Sequence, residues 1–556
     1  MLRYIFTMFF ILVVSSALAA PQTIFVSTKG NDKWSGKLST PNKANTDGPF
    51  ASLLRAREEV RKLKAAGAVT VQVRGGTYSL PATFSLTTED SGTERSPIIW
   101  KAFAGEKPLL LGGKTINDFQ PYKGQILKAD VAEQGFKGAY FRQLFFKGVK
   151  QNLARTPNFD PKNPYGGGWS YADGKIVPMY SDILGEDMHT LKYAGNDVPD
   201  MAKPTEAEVF IFPRYNWWNN VVPIKSIDRA TRTVTLAADC SYPIRPRDRY
   251  YIRNVFEALD SPGEWYLDKV TNTLYFWPPA PITKDSVSAP FLETLVSLNK
   301  TAYVTLQGFT LEGCDGNGVV LSGCDHCTIV GCEIRNTVGR WDWSLSAVTV
   351  SGTNNSVVGC DIHDTGGHGI SIDGGDRITL TPANNVADNN YIHHVGQMYK
   401  QGVGISLTGV GNKATHNLIH DGPRMGIMFS GNNLLIEYNE IRHMNLETED
   451  TGIVYTGGRD WISSRGSIIR YNYFHDILGF GHDEKGRWVS PRFAWGVYLD
   501  DNAGGVELLA ISLRAVRWRW CTCIMDGITI SRTTYSSAVD SSRSSIADGR
   551  TNTPTG

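Results

Sequence analysis

The chain has 556 residues, in which 56 lysines and arginines nearly cancel 55 aspartates and glutamates for a net charge of +1. That balance gives no electrostatic footing for nucleic acid or an acidic membrane surface. The length exceeds what one hydrophobic core organises, so more than one structural unit is expected.

In chain order, Arg3, the apolar run Tyr4 to Val14 and the small-residue site Ala17-Leu-Ala19 have the form of a signal peptide, residues 1–19. The run is too short to span a bilayer, so a secreted or periplasmic protein without a membrane anchor is expected. Residues 20–117 read as an N-terminal cap and the first turns of a coil. Thr23 to Ser27 is strand-like. Ser52 to Ala66 is one amphipathic helix with Leu53, Ala56, Val60 and Leu63 on a face and Gly67 as its stop. Such a helix would cover the open end of a sheet. Strands follow at Val69 to Val73, Ile98 to Lys101 and Leu109 to Leu111.

From 118 to 281 the rhythm breaks into an aromatic-rich stretch with Tyr215-Asn-Trp-Trp218 and a hairpin-like Trp265 to Trp277. This predicts an inserted β domain overhanging one face of the coil. The chain's 14 Trp and 23 Tyr suit sugar rings as well as β cores.

Residues 282–505 carry the repeat. One phrase recurs six times: Cys332-Glu-Ile-Arg335, Cys360-Asp-Ile-His363, Asn390-Tyr-Ile-His393, Asn417-Leu-Ile-His420, Asn439-Glu-Ile-Arg442 and Asn472-Tyr-Phe-His475. A second is a glycine followed by alternating residues: Gly369-Ile-Ser-Ile, Gly404-Ile-Ser-Leu, Gly426-Ile-Met-Phe, Gly452-Ile-Val-Tyr and Gly496-Val-Tyr-Leu. Short strands at such a period form an all-β solenoid, a right-handed parallel β-helix. Successive rungs then lie about 4.8 Å apart, and aligning the glycines stacks Ile370, Ile405, Ile427, Ile453 and Val497 inward. Ile372, Leu407, Phe429, Tyr455 and Leu499 form the next inward column, and Asp373, Thr408, Ser430, Thr456 and Asp500 an outward one.

After Gly505 no rung is legible. Trp518 to Ala538, back-translated and read two bases displaced, permits an Asn-Asn-Ile-Phe phrase like Asn389-Asn-Tyr-Ile392. Residues 506–556 therefore read as an aberrant tail, frameshifted or disordered. The cysteines follow the repeat and not a disulfide framework: Cys332 and Cys360 stack where later rungs have Asn, and Cys324-Asp-His-Cys327 lacks the second half of a zinc knuckle. The pairs His363-Asp364, His420-Asp421 and His475-Asp476 recur as a turn ladder. No metal or cofactor is expected.

Core packing does not account for the acids of the last two rungs: Glu447, Glu449, Asp450, Asp460, Asp500 and Asp501. With Gly452 over Gly496, Asp460 and Asp501 fall within about 5 to 10 Å, the span used by glycosidase carboxylate pairs. Asp450 and Asp500 would lie roughly 15 to 20 Å apart on an extended strand unless the loop folds back. Asp460, Asp501 and Asp450 are thus the candidate catalytic acids. Glu447, Glu449, Asp500, Arg459, Trp461, His482 and Trp495 are candidate substrate contacts. One acid must be protonated to assist the leaving oxygen and another ionised.

The phrases Phe25-Val-Ser-Thr-Lys-Gly-Asn-Asp-Lys-Trp-Ser-Gly36, Asp47-Gly-Pro-Phe50, Val73-Arg-Gly-Gly-Thr-Tyr78, Pro262-Gly-Glu-Trp-Tyr-Leu267, Glu447-Thr-Glu-Asp-Thr-Gly452 and Gly496-Val-Tyr-Leu-Asp-Asp501 together resemble glycoside hydrolase family 141. The likeness covers about Thr23 to Gly505. It implies the β-helix with its inserted domain and hydrolysis of plant-type polysaccharide linkages, fucosidase- or xylanase-like. It also points to the acids of the last two rungs. Two other readings stay open: a polysaccharide lyase or epimerase, for which Arg470 or Lys485 would be the basic residue, and a non-catalytic carbohydrate-binding or inactive truncated protein.

Overall fold

The computed structural model describes residues 21–138, 140–458, 462–483, 485–516, 519–523 and 529–532. The proposed signal peptide and the candidates Arg459, Asp460 and Trp461 lie outside the described residues, as does most of the tail. Among the described residues no helix is long and apolar enough to cross a membrane.

The molecule is all-β, a coil of three parallel sheets with twelve, ten and ten strands. Each rung passes from the first sheet (as at Leu435–Glu437) to the second (Glu440–Arg442) and then the third (Thr451–Gly458). One apolar core runs the length of the coil. It is filled by columns of stacked side chains, one from each second-sheet strand, as in Ile362, Ile392, Ile419, Ile441 and Phe474, and two from most third-sheet strands, such as Ile405 and Leu407. The corner between the first and second sheets is held by an asparagine ladder. Backbone N–H groups of Asn390, Asn417 and Asn439 donate to Oδ1 of Asn417, Asn439 and Asn472, at 3.0, 2.9 and 2.9 Å. Cys360 N–H donates to Asn390 at 3.0 Å, and Cys332 and Cys360 continue the column as buried free thiols. Cys324 and Cys327 are likewise free and buried. The three His-Asp pairs close the second-sheet strands, with Nδ1 to Oδ2 distances of 2.7, 2.7 and 2.6 Å.

A helix, Leu53–Leu63, covers one end, with Leu53, Ala56 and Val60 buried. Ser52 caps it by accepting from Arg55 N–H at 3.1 Å. The coil is not interrupted by the insertion. Ile98–Lys101 pairs with Val304–Gln307, and Leu109–Leu111 with Thr310–Glu312. Between them, mostly antiparallel strands from Gly113 to Pro290 build sheets of eight and seven strands with their own cores. The Glu264–Asp268 and Thr273–Phe276 strands form the expected hairpin.

Two expectations are corrected. The rungs do not stop at Gly505: Glu507–Leu509 pairs with Ile468–Arg470, and Ser512–Val516 with Tyr473–Ile477. Val506, Leu508 and Ile511 are buried in the coil, so a few apolar side chains suffice where no repeated phrase is visible. The glycine alignment of the last rungs is also off by one residue. Val454, not Ile453, pairs with Ile427 and Val497. Ile453 and Val454 are both apolar, so alternation does not choose between them. The slip carries every side chain to the other face. Thr456 thus turns inward over Leu499, and Tyr455 turns outward beside Tyr498.

Candidate active site

The inserted domain stands over the corner between the second and third sheets. Asn219 bridges to the 398–400 loop, donating to Met398 O at 3.0 Å and accepting from Lys400 N–H at 2.8 Å. Asn216 donates to Phe480 O at 2.7 Å, and the fully buried Arg249 guanidinium donates to the carbonyl of Glu447. These are backbone captures, which order the corner loops without using their side chains.

The loop so fixed delivers the acids. Asp450 has φ of 52°, a left-handed conformation that Asp tolerates better than most residues, and this folds its side chain back over the third sheet. Tyr498 Oη donates to Asp450 Oδ1 at 3.1 Å, and Tyr455 Oη donates to Asp500 Oδ2 at 2.8 Å. The two rings meet edge to face, 5.4 Å between centroids. Asp450 and Asp500 are therefore not a distant pair, as an extended strand required. They are close enough for the Asp500 charge to act on Asp450, whose carboxyl is pushed up by burial and then by that charge, against Arg424. Burial, followed by the acids, also pushes both tyrosine hydroxyls up.

Arg424 is buried and anchors the loop. It donates to the carbonyls of Trp217 at 3.0 Å, Glu449 at 3.1 Å and Asp450 at 3.1 Å. Trp217 lies against the Asp450 carboxyl and stacks on Tyr215, 4.3 Å between centroids. The Tyr215-Asn-Trp-Trp218 segment thus supplies the aromatic wall. Asp501 N–H donates to Asp500 Oδ1 at 2.8 Å. Asp501 also lines a hollow of about 150 Å³ with Tyr455, Ser430 and Thr408.

Glu449 is 3% exposed. Its Oε2 accepts from Arg492 at 3.3 Å, and burial pushes its carboxyl up to about 8. The 481–489 hairpin presses on it so closely that a Cβ at Gly481 would meet the carboxyl at 2.1 Å. Among the described residues, the buried polar atoms of this region that lack a protein partner include Glu449 Oε1, Arg424 Nε, Trp217 Nε1, Trp488 Nε1 and Trp495 Nε1. The Trp495 ring is 4.4 Å from Tyr498. An incoming hydroxyl would satisfy such atoms, which are costly to leave unpaired.

The other candidates fall elsewhere. Glu447 turns away from Asp450 to pair with Lys400 at 2.6 Å. His482 sits in the hairpin against Trp488, 5.7 Å between rings. Arg470 pairs with Glu437 at 2.6 Å on the first sheet. Sequence reasoning missed Tyr455, Tyr498, Arg424 and Trp217. The repeated dipeptides Val454-Tyr455 and Val497-Tyr498 were the available signal, and aligning them gives the observed register.

The family description "Right handed beta helix region" matches residues 294–381 and 346–503. No curated protein sequence matches the chain. A solved structure described as a glycoside hydrolase superposes with a TM-score of 0.69 at 18% identity, over 88% of this chain and 93% of that one. A complex of XylC with xylose matches at TM-score 0.44 and 13% identity, over 89% and 70% of the two chains. Pectate lyase Pel9A matches at 0.34 and 10%, over 94% and 80%. The chain has the right-handed β-helix fold that the first of these shares.

Proposed function

We propose that the chain is an exported glycoside hydrolase that cleaves a plant-type polysaccharide or its side chains, in the manner the family 141 resemblance implies. Asp450 is the general acid and Asp500 its charged partner. The observation that carries this reading is the Tyr455–Tyr498 pair, which holds two carboxyl groups from neighbouring rungs in different surroundings. Asp450, half-buried with its carboxyl pushed up by burial, is the group suited to donate a proton to the departing glycosidic oxygen. Asp500 accepts hydrogen bonds at both oxygens, from Tyr455 and from Asp501 N–H. It serves as nucleophile or as base for water. The aromatic wall and the unpartnered polar atoms orient the sugar.

Release of reducing sugar from xylan and from fucosylated oligosaccharides tests the reading. Asp450→Asn and Asp500→Asn should each lower kcat by about 10²–10⁴-fold while substrate still binds. Activity should fall as pH rises through the raised Asp450 value, because only the protonated form donates. Unsaturated, ultraviolet-absorbing products would sink the hydrolase in favour of the lyase. Glycan binding with no turnover in the unmodified chain would leave a binding protein, and Asp501→Asn measures whether the adjacent hollow takes part.

A further inference from the structure

On the opposite flank of the same corner, the inserted domain and the second sheet enclose a cleft of about 600 Å³. That size is within the range of about 300–1,000 Å³ found for small-molecule sites. The cleft does not include Asp450, Asp500 or Asp501. Its walls are rich in cations, and most are paired. Arg335 meets Glu312 and Glu333 at 2.8 and 2.7 Å, Arg253 meets Glu208 at 2.8 Å, and Lys400 meets Glu447 at 2.6 Å.

Lys150 is different. Its Nζ donates to Gln397 Oε1 at 3.3 Å, a neutral amide, and Gln397 passes its own Nε2–H to Asp364 at 2.7 Å. The glutamine therefore stands between the ammonium and the carboxylate that would neutralise it. Among the described residues Arg155 has no carboxylate partner either. It donates to the carbonyls of Pro157, at 2.9 Å, and Gly168, and its guanidinium lies 3.4 Å over the Tyr251 ring. Burial pulls the Lys150 ammonium down to about 8, with Lys400 adding to the effect and Asp364 opposing it. Lys150 and Arg155 are each a cation of the cleft wall without an ionic partner among the described residues, and an anion that enters the cleft would stabilise it. Phe159, Tyr165 and Trp169 give the same cleft an apolar flank, which suits the body of a sugar ring.

We propose that this cleft is a second glycan site that takes a carboxylated sugar, a hexuronate residue, with Lys150 and Arg155 as its counter-ions. The site does not require the acidic corner to be a hydrolase, and its test is independent of turnover.

The measurement is calorimetric titration of the whole chain with a galacturonate oligosaccharide and, separately, with a neutral xylo-oligosaccharide. The acidic sugar should bind the unmodified chain and Asp450→Asn alike. It should weaken by at least about tenfold in Lys150→Met and be retained in Lys150→Arg, with no competition from the neutral sugar. Should Lys150→Met fail to fold, Lys150→Gln, which keeps a donor toward Gln397, reads the same loss. The proposal is overturned if the acidic sugar does not bind, if Lys150→Met and Lys150→Gln both bind it unchanged, or if the neutral sugar displaces it. Loss of binding in Asp450→Asn would move the anion to the acidic corner and overturn it too. Equal competition by inorganic phosphate would reduce the cleft to a general anion site.

Discussion

At the scale of single residues, the site is governed by two buried carboxyls and the groups that oppose their ionisation. Glu449, raised to about 8 from 4.5, binds a proton in the folded chain that the unfolded chain has released. Its stabilising effect is therefore fully present below about pH 4.5 and is lost as pH rises through about 8. Glu449→Gln should flatten the fall in melting temperature across that window, relieving on the order of a few kcal/mol at its alkaline end. A variant that melts with the same pH dependence as the parent would remove Glu449 from the account. Tyr498 acts the other way on Asp450, since its hydrogen bond favours the charged carboxylate. Tyr498→Phe should move the alkaline limb of the pH–rate profile upward.

At the scale of elements, the rungs are tied by ladders whose members are each other's partners. Asn417 Nδ2 donates to Ala387 O at 3.0 Å and to Asn439 Oδ1 at 2.9 Å, while its Oδ1 accepts from Asn390. Asn417→Ala removes hydrogen bonds to the rungs on both sides at once, and each buried group left unpaired costs about 1–3 kcal/mol. Its chemical-denaturation midpoint should drop well below that of Glu440→Ala, a change in the half-exposed neighbouring strand. The glycine column at the end of the third-sheet strands is equally local in cause. At Gly431, φ is 146° and a Cβ would meet Gly409 O at 2.0 Å. The repeated asparagine phrase is this ladder, and the repeated glycine phrase opens the third-sheet strands, where a Cβ at Gly404 or Gly426 would meet the core side chain of Ile419 or Ile441 at 2.5 Å, which is why the coil was legible. The register of the Thr451–Gly458 strand was not, because two adjacent apolar residues compete for one inward place.

At the scale of the molecule, a solenoid's stability is roughly a sum over rungs and their interfaces. The strands after Gly505 are therefore part of the coil's stability and not an appendage. A chain ended at Gly505 should lose the burial of Leu508 and Ile511, about 1.5–3 kcal/mol for each side chain, and expose the edges of Ile468–Arg470 and Tyr473–Ile477. A lower melting temperature, or association through those edges, is expected. Unchanged melting would return the segment to the status of a tail. The inserted domain works at the same scale: it adds no rung, yet its Asn216, Asn219 and Arg249 hold the loops from which the acids project.

The sequence by itself determined the architecture: the coil, its helical cap, the hairpin within an inserted domain, and the rungs in which acids collect. Those features follow from periods of two within a strand and from turns repeated once per rung, interactions that neighbours in sequence already encode. Only the tertiary structure decided which acids meet. Asp450 and Asp500 come together through a left-handed turn, a one-residue register and two tyrosines from adjacent rungs. Among the side chains that hold the turn, Arg249 reaches the Glu447 carbonyl 198 residues away and Arg424 the Trp217 carbonyl 207 residues away, and a carbonyl leaves no mark in the sequence.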